Sequence, residues 1–318
     1  MHEFNRRDFL RCSTAMAVGA SVSGISVACD DDSLADTCTL SIGTYAMPGM
    51  QVEEAINVVG DAGYDGIEIA ARSDYDGAPA TMPKTRRREV RRLLGETGLA
   101  LTALMENLRP ATSDSEHEQQ VERLKRVGDL ANDLATAQTP PVQTTLGGGS
   151  WIAKRELFRD RLSDWIDVLR KVGVVLAIKP HRGGAMSRPE EAVWLIRQLR
   201  GTPRLRMVYD YSHYAFRDMT VEGTVATSLP YTAHIAVKDA VQESDRVAFQ
   251  LPGQSGSFDY ANLLRRFYRG GYRGDICCEV SGMVSKAAAY DPVRAAHICH
   301  RNMARAMGRA EVPRPGRG

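Results

Sequence analysis

At 318 residues, 43% hydrophobic and 25% charged, the chain has the make-up of a globular protein long enough to bury a large core. Its net charge is only +2, and Lys and Arg are scattered along the sequence rather than clustered on one element. That balance argues against a nucleic-acid-binding surface and leaves a small molecule as the default partner.

Residues 1–36 read as lying outside the fold. The run Asn5-Arg6-Arg7-Asp8-Phe9-Leu10-Arg11 resembles the twin-arginine export signal, an arginine pair followed one residue later by Phe-Leu and a basic residue. Residues 12–28 are small and mildly apolar, too short and too weakly hydrophobic for a stable membrane span. The stretch Ser26-Val27-Ala28-Cys29 fits an ordinary signal-peptidase site and also, loosely, a lipoprotein site at which Cys29 carries the lipid and tethers the protein to a membrane. Residues 1–28 are thus expected to be an export signal and 29–38 a linker containing the Asp30-Asp31-Asp32 run. The expected location is the periplasm or the cell envelope. Because the twin-arginine pathway carries folded proteins, often with a cofactor already inserted, the signal favours a bound metal. Of the six cysteines, Cys12 leaves with the signal, and Cys277 and Cys278 are adjacent in one strand, so no disulfide framework emerges and Cys38 and Cys299 read as structural thiols.

From residue 39 strand and helix patterns alternate. Residues 40–45 read as a strand and 52–62 as a helix closed by Gly63; 66–70 is a strand, and 84–97 a basic helix ended by Gly98. Strand 99–105 and helix 116–137 follow, then strand 142–146, entering Gly147-Gly148-Gly149, and helix 155–172. Strand 174–179 precedes a helix over 189–199 with Pro189 in its first turn. The series closes with strand 205–210, helix 221–229, strand 234–238, helix 259–269, strand 275–279 and helix 292–307. Eight strand–helix units in roughly 270 residues predict one α/β domain over 39–309, a closed (β/α)8 barrel with its active site at the C-terminal ends of the strands. An open doubly wound sheet is the rival, but the first strand lacks a following Gly-x-Gly-x-x-Gly. Residues 310–318, with Pro313 and Pro315, read as a disordered tail.

Four apolar runs in the second half each end in ionisable residues: Lys179 and His181, Asp210 and His213, Lys238 and Asp239, and Glu279. Parallel strands bring such ends to one face. Strand alternation then puts Cys277 inward with Glu279, and Ala236 and His234 inward with Lys238, while Glu68 and Glu106 end the second and third strands.

Together, Gly63-Tyr64-Asp65-Gly66-Ile67-Glu68, Leu176-Ala177-Ile178-Lys179-Pro180-His181, Asp210-Tyr211-Ser212-His213, His234-Ile235-Ala236-Val237-Lys238-Asp239 and Gly274-Asp275-Ile276-Cys277-Cys278-Glu279 resemble the xylose-isomerase-like superfamily of sugar phosphate isomerases and epimerases over residues 39 to about 309. The resemblance implies a divalent metal, Mn2+ above all, held by Glu, Asp, His and Glu from strands five to eight, with the two glutamates moving a proton beside a sugar carbonyl. Asp210 and Glu279 match that pattern, whereas Lys179 stands for the first Glu and Ala236 for the His. Two arrangements stay open. Either Asp210 and Glu279 hold the ion with His181 or His234, or the Lys179 ammonium replaces it as the charge between the two carboxylates. His213 lies where the superfamily places a histidine that contacts substrate oxygens, and Lys238 and Asp239 match its Lys-Asp after strand seven, a surface salt bridge being the other reading of that pair. Trp151 and Tyr211 offer a stacking face for a sugar ring or pack in the core.

The expected function is an exported sugar or keto-sugar isomerase or epimerase with a carbohydrate substrate. Glu279, Lys179 and His213 are its catalytic candidates, Glu68, Glu106, His181 and Lys238 its substrate-binding ones, and Asp210, Glu279, His181 and His234 its metal ligands. A Schiff-base lyase or aldolase using Lys179, and a non-catalytic carbohydrate-binding barrel, are the alternatives. Oligomeric state leaves no mark in the sequence.

Overall fold

The computed structural model describes residues 36–316, so the expected export signal and Cys29 lie outside the described residues. Eight parallel strands close into a barrel: β1 (Thr39–Gly43), β2 (Gly66–Ala70), β3 (Ala100–Met105), β4 (Val142–Thr144), β5 (Leu176–Ile178), β6 (Leu205–Tyr209), β7 (Thr232–Val237) and β10 (Asp275–Cys278), the last pairing with β1. Around them run α1 (Val52–Asp61), α2 (Lys84–Thr97), α3 (Asp114–Leu134), α4 (Trp151–Val172), α5 (Pro189–Gln198), α6 (Val221–Ser228), α7 (Tyr260–Arg269), the one-turn α8 (Gly282–Ser285) and α9 (Pro292–Ala310). The single (β/α)8 architecture read from the sequence is therefore the observed one. Between β7 and α7 the chain adds an antiparallel hairpin, β8 (Asp239–Glu243) with β9 (Arg246–Gln250), in a stretch to which the sequence patterns assign no element.

Local chemistry sets the helix ends. Ser113 accepts from the Glu116 amide and donates to its carboxylate at 2.9 Å, a capping pair that starts α3 two residues earlier than expected. Gly98 and Gly173, at φ of 68° and 77°, let α2 and α4 stop in the left-handed conformation. Strand alternation does the rest. Leu40, Ile42, Ile67, Ile69, Leu176, Ile178, Ile235 and Ile276 face the helices and form the main core with Trp165, Phe158 and Phe267. The alternate residues face the barrel axis, where Ala177, Val208 and Ala236 form only a small apolar cluster and most of the lining is polar.

The tail departs from expectation. Helix α9 runs on to Ala310, Val312 is 5% exposed, and Arg314 forks onto both oxygens of Asp65 at 2.7 Å while donating to the Gly63 carbonyl at 2.8 Å. Residues 310–314 are thus docked, because the buried Asp65 carboxylate, which also accepts the Leu40 amide, requires a cation that, among the described residues, Arg314 supplies. Cys38, Cys277, Cys278 and Cys299 are free and buried, in line with their reading as structural thiols. Among the described residues no helix is long and apolar enough to cross a membrane.

Candidate active site

The inward positions build a polar column in two tiers. In the lower tier His234 lies with Nε2 at 3.3 Å from Glu68 and Nδ1 at 3.3 Å from Asp275, contacts of ion-pair rather than hydrogen-bond quality. Glu68 also accepts from Gln143, and Asp275 accepts from the Ser41 hydroxyl at 2.7 Å. Gly43 makes this possible, since a Cβ there would come within 2.8 Å of the Glu68 carboxylate. Burial works against the His234 cation, but the neighbouring Glu68 and Asp275 carboxylates outweigh it and raise its pKa. Burial in turn pushes the Asp275 carboxyl up to about 7, against the pull of His234.

The upper tier is a box of two lysines and two carboxylates. Lys179 donates to Glu279 Oε2 and sits 2.9 Å from Asp210 Oδ2. Lys238 spends its three protons on Asp210 Oδ2 at 2.9 Å, Glu279 Oε1 and His213 Nε2 at 3.0 Å. The remaining Asp210 oxygen accepts the hydroxyl and amide of Ser212, at 2.6 and 3.1 Å. Behind the box the hairpin lays Phe249 over the Lys238 ammonium at 5.1 Å and against the His213 ring at 5.6 Å, which keeps Lys238 only 2% exposed.

Burial pushes the Asp210 and Glu279 carboxyls up, yet the two ammonium groups override it and hold both below the ordinary carboxylate range. Lys179 is likewise pulled down by burial and pushed back by Asp210 and Glu279, to above the usual lysine value. His213 and His181 stay neutral: burial first and Lys238 second lower both, His181 to about 4. The Gly183 amide donates to His181 Nδ1 at 3.1 Å, leaving Nε2–H free to donate, and the two histidine rings lie 4.0 Å apart.

Above the box opens a cavity of about 290 Å³ lined by Lys179, Glu279, His181, Glu106, Gln143 and Arg72, with Tyr45, Met105, Asn107, Arg109, Thr144 and Thr145 completing its wall. Glu106 is held by Arg123 at 2.6 Å. A larger, more open cleft of about 580 Å³ lies at the opposite ends of β6, β7 and β10, where only Arg206 and Arg273 carry charge, so the chemistry points to the mouth.

The sequence-predicted residues thus divide. Lys179, Glu279, His181 and Glu106 line the cavity; Asp210, His213 and Lys238 stand directly behind it. Glu68 and His234 belong to the lower tier, so His234 is not a partner of Asp210 and Glu279, and the imidazole that joins them is His213. Asp239 is no surface salt bridge: buried, it accepts the amide and hydroxyl of Ser255, both at 2.7 Å. Trp151 packs edge-on to Trp194 and Tyr211 to Phe258, and neither reaches the cavity. Tyr45, Arg72, Asn107, Arg109 and Gln143 were missed; all but Gln143 sit just past strand ends, the one signal that marks them.

Side chains of the kind that hold a divalent metal gather at two places among the described residues, Asp210 with His213 and Glu279, and Glu68 with His234 and Cys277, each set placing its ligand atoms within 4.8 Å of one another. In the first set, however, the Lys238 ammonium touches the same three side chains that an ion would use. The donor atoms are right for a cation; a side-chain cation already satisfies them.

A family model described as a xylose isomerase-like TIM barrel matches residues 56–296. No curated protein matches significantly by sequence. Among solved structures, the barrel resembles a xylose isomerase-like TIM barrel/4-hydroxyphenylpyruvate dioxygenase fusion protein (TM-score 0.70, 18% identity), covering 86% of this chain and only 43% of the fusion. It also resembles the apo 3-keto-D-glucoside 4-epimerase YcjR of E. coli (TM-score 0.65, 14% identity, 85% and 99% of the two chains). A third likeness is a xylose isomerase-like TIM barrel protein of Mycobacterium smegmatis in complex with magnesium (TM-score 0.66, 18% identity, 87% and 98% covered). At these identities the likeness is one of fold.

Proposed function

Taking as premise that the chain belongs to the xylose isomerase-like TIM barrel family, we propose that it is a carbohydrate isomerase or epimerase moving a proton at the carbon next to a carbonyl. The observation that carries this reading is the Lys179–Glu279 pair at the floor of a polar cavity, an acid and a base in contact beside the neutral Nε2–H of His181. Lys179 has one ammonium proton beyond those turned to Asp210 and Glu279, and it is placed to donate to a substrate carbonyl oxygen. As negative charge develops on that oxygen, Lys179 shifts toward it and loosens its hold on Glu279. Glu279 then accepts the proton from carbon and, in an isomerisation, returns it to the former carbonyl carbon, while Lys179 protonates the former carbonyl oxygen and takes back a proton from the hydroxyl that becomes the new carbonyl. An epimerisation requires a proton delivered from the face opposite Glu279, and Glu106 is the other carboxyl group in the cavity lining. His181 steadies an adjacent hydroxyl.

The depressed pKa of Glu279 makes it a weak base at rest, so the pairing requires substrate to release it. A Schiff-base role for Lys179 meets a harder obstacle, since that chemistry needs a neutral amine and both carboxylates favour the ammonium. The test is incubation in D2O with a panel of sugars and keto-sugars, read by NMR for deuterium at the α-carbon. We expect exchange with at least one, falling about 10²–10⁴-fold in Glu279→Gln with binding retained. Absence of exchange with every compound refutes the proposal, and tight binding of one of them by the wild type without any exchange or turnover assigns a carbohydrate-binding role instead.

The proposal extends to location, resting on Arg6-Arg7 and Phe9-Leu10: the protein is exported by the twin-arginine pathway to the periplasm or envelope, with Cys29 a lipid-bearing residue in the tethered form. Retention in the cytoplasm of an Arg6→Lys, Arg7→Lys variant, beside an exported wild type, is the expected result.

A further inference from the structure

We propose that the ammonium groups of Lys179 and Lys238 together occupy the cation position of this barrel, and that the protein works without a divalent metal. The inference deepens the reading of the same site, and rests on the proposed chemistry only for its activity measurement.

Atom by atom, little is left for an ion to bind. Asp210 Oδ2 faces both lysines, Glu279 Oε2 accepts from Lys179 and Oε1 from Lys238, and His213 Nε2 accepts from Lys238. Asp210 Oδ1 is taken by Ser212. Charge closes as well: two ammonium groups bring the same +2 as a divalent ion, against one negative charge on each of Asp210 and Glu279. Adding an ion to that set would bury two uncompensated positive charges beside two cations, a cost that such a low-dielectric site cannot recover.

Nor is the Lys238 ammonium a mobile side chain that can step aside. Its three protons are all engaged, Phe249 covers it from the hairpin, and His213 beside it is fully buried. The lower tier repeats the device, with His234 set between Glu68 and Asp275 while Gln143 occupies the Glu68 oxygen. Both places where metal-ligating side chains gather therefore contain a cationic or cation-forming side chain of the protein's own. The chemical consequence is that a substrate carbonyl is polarised by hydrogen bonding from Lys179, a weaker electrophile than a bound ion but one whose proton can follow the charge.

Metal content after dialysis against chelator, followed by titration calorimetry with MnCl2, MgCl2 and ZnCl2, tests this on the purified full chain without any substrate. Wild type should retain far less than one equivalent of metal and show no saturable uptake. Lys238→Ala frees Glu279 Oε1 and His213 Nε2 and leaves Asp210 Oδ2 to Lys179 alone, so it should bind Mn2+ or Zn2+ at least about tenfold more tightly than wild type, a gain abolished by adding Asp210→Ala. Stoichiometric metal in wild type overturns the proposal, as does a folded Lys238→Ala that binds no better than wild type. Should Lys238→Ala fail to fold, wild-type metal content decides alone. Where an exchange substrate is in hand, chelator should leave its rate within about twofold, and loss of rate restored by Mn2+ overturns the proposal. A barren sugar screen leaves the calorimetry readable, so the two readings fail separately.

Discussion

Replacing Lys179 by Met keeps most of the side-chain volume and removes only the ammonium, which isolates the electrostatic role of the box. The wild-type lysine is 4% exposed and contacts Asp210, 0% exposed, and Glu279, 8% exposed, so the change leaves two buried carboxylates sharing Lys238 alone. Breaking a buried pair in this way costs about 3–5 kcal/mol. For a domain of this size each kcal/mol moves the unfolding midpoint by about 2–4 °C, so a fall on the order of 10 °C is expected at neutral pH. The pH dependence carries a second signature. The folded-state pKa values of Asp210 and Glu279 lie below those of the unfolded chain, so their contribution is present above roughly pH 4 and lost as pH falls through the folded values. Without Lys179 those values rise, and the acid loss begins at higher pH. Thermal unfolding followed by circular dichroism from roughly pH 3 to pH 8 reads both effects. A variant that melts within about 1 °C of wild type at neutral pH, with the same acid limb, would show that Lys179 is not the counter-charge we take it to be.

Arg314→Ala should cost about 1–3 kcal/mol, because buried Asp65 loses its forked partner and keeps only the Leu40 amide; the urea midpoint should fall while exchange activity per folded molecule stays constant, and an unchanged midpoint refutes the docked tail. Asp275→Asn retains an acceptor for Ser41 and removes a carboxyl whose pKa is raised to about 7. A raised carboxyl stabilises fully below its unfolded pKa and loses that contribution as pH rises through about 7, so the variant should show a flatter stability decline between roughly pH 4 and pH 8; an identical slope counts against the lower-tier assignment.

The barrel is legible in the sequence because each strand reports its own alternation, and outward apolar residues such as Ile67, Ile178 and Ile235 mark the inward ones by default. Lys179, Asp210 and Glu279 are legible for the same reason, as inward positions at strand ends. Tier is not. His234 shares the inward face with Lys238 but stands four residues earlier, about 13 Å lower along the strand, which is why it meets Glu68 and Asp275 rather than Asp210. Gln143, a neutral amide in a short strand, gives no warning that it props up Glu68. Residues 239–250 hide the hairpin because half-exposed strands of mixed polarity carry little alternation, and its one large apolar contact to the site, Phe249, has meaning only once Lys238 and His213 are seen beneath it. Arg72 and Arg109 sit in loops, where sequence fixes no side-chain direction.

The docked tail also settles how the molecule can be held. Cys38, one residue before β1, donates its amide to the Pro313 carbonyl at 2.8 Å, and Arg314 grips Asp65 just ahead of β2, so the chain enters and leaves the barrel side by side at the end opposite the cavity. The first and last described residues, 36 and 316, therefore both stand at the end of the barrel away from the cavity. Neither of these chain ends crosses the mouth, so the polar lining alone determines what the cavity admits.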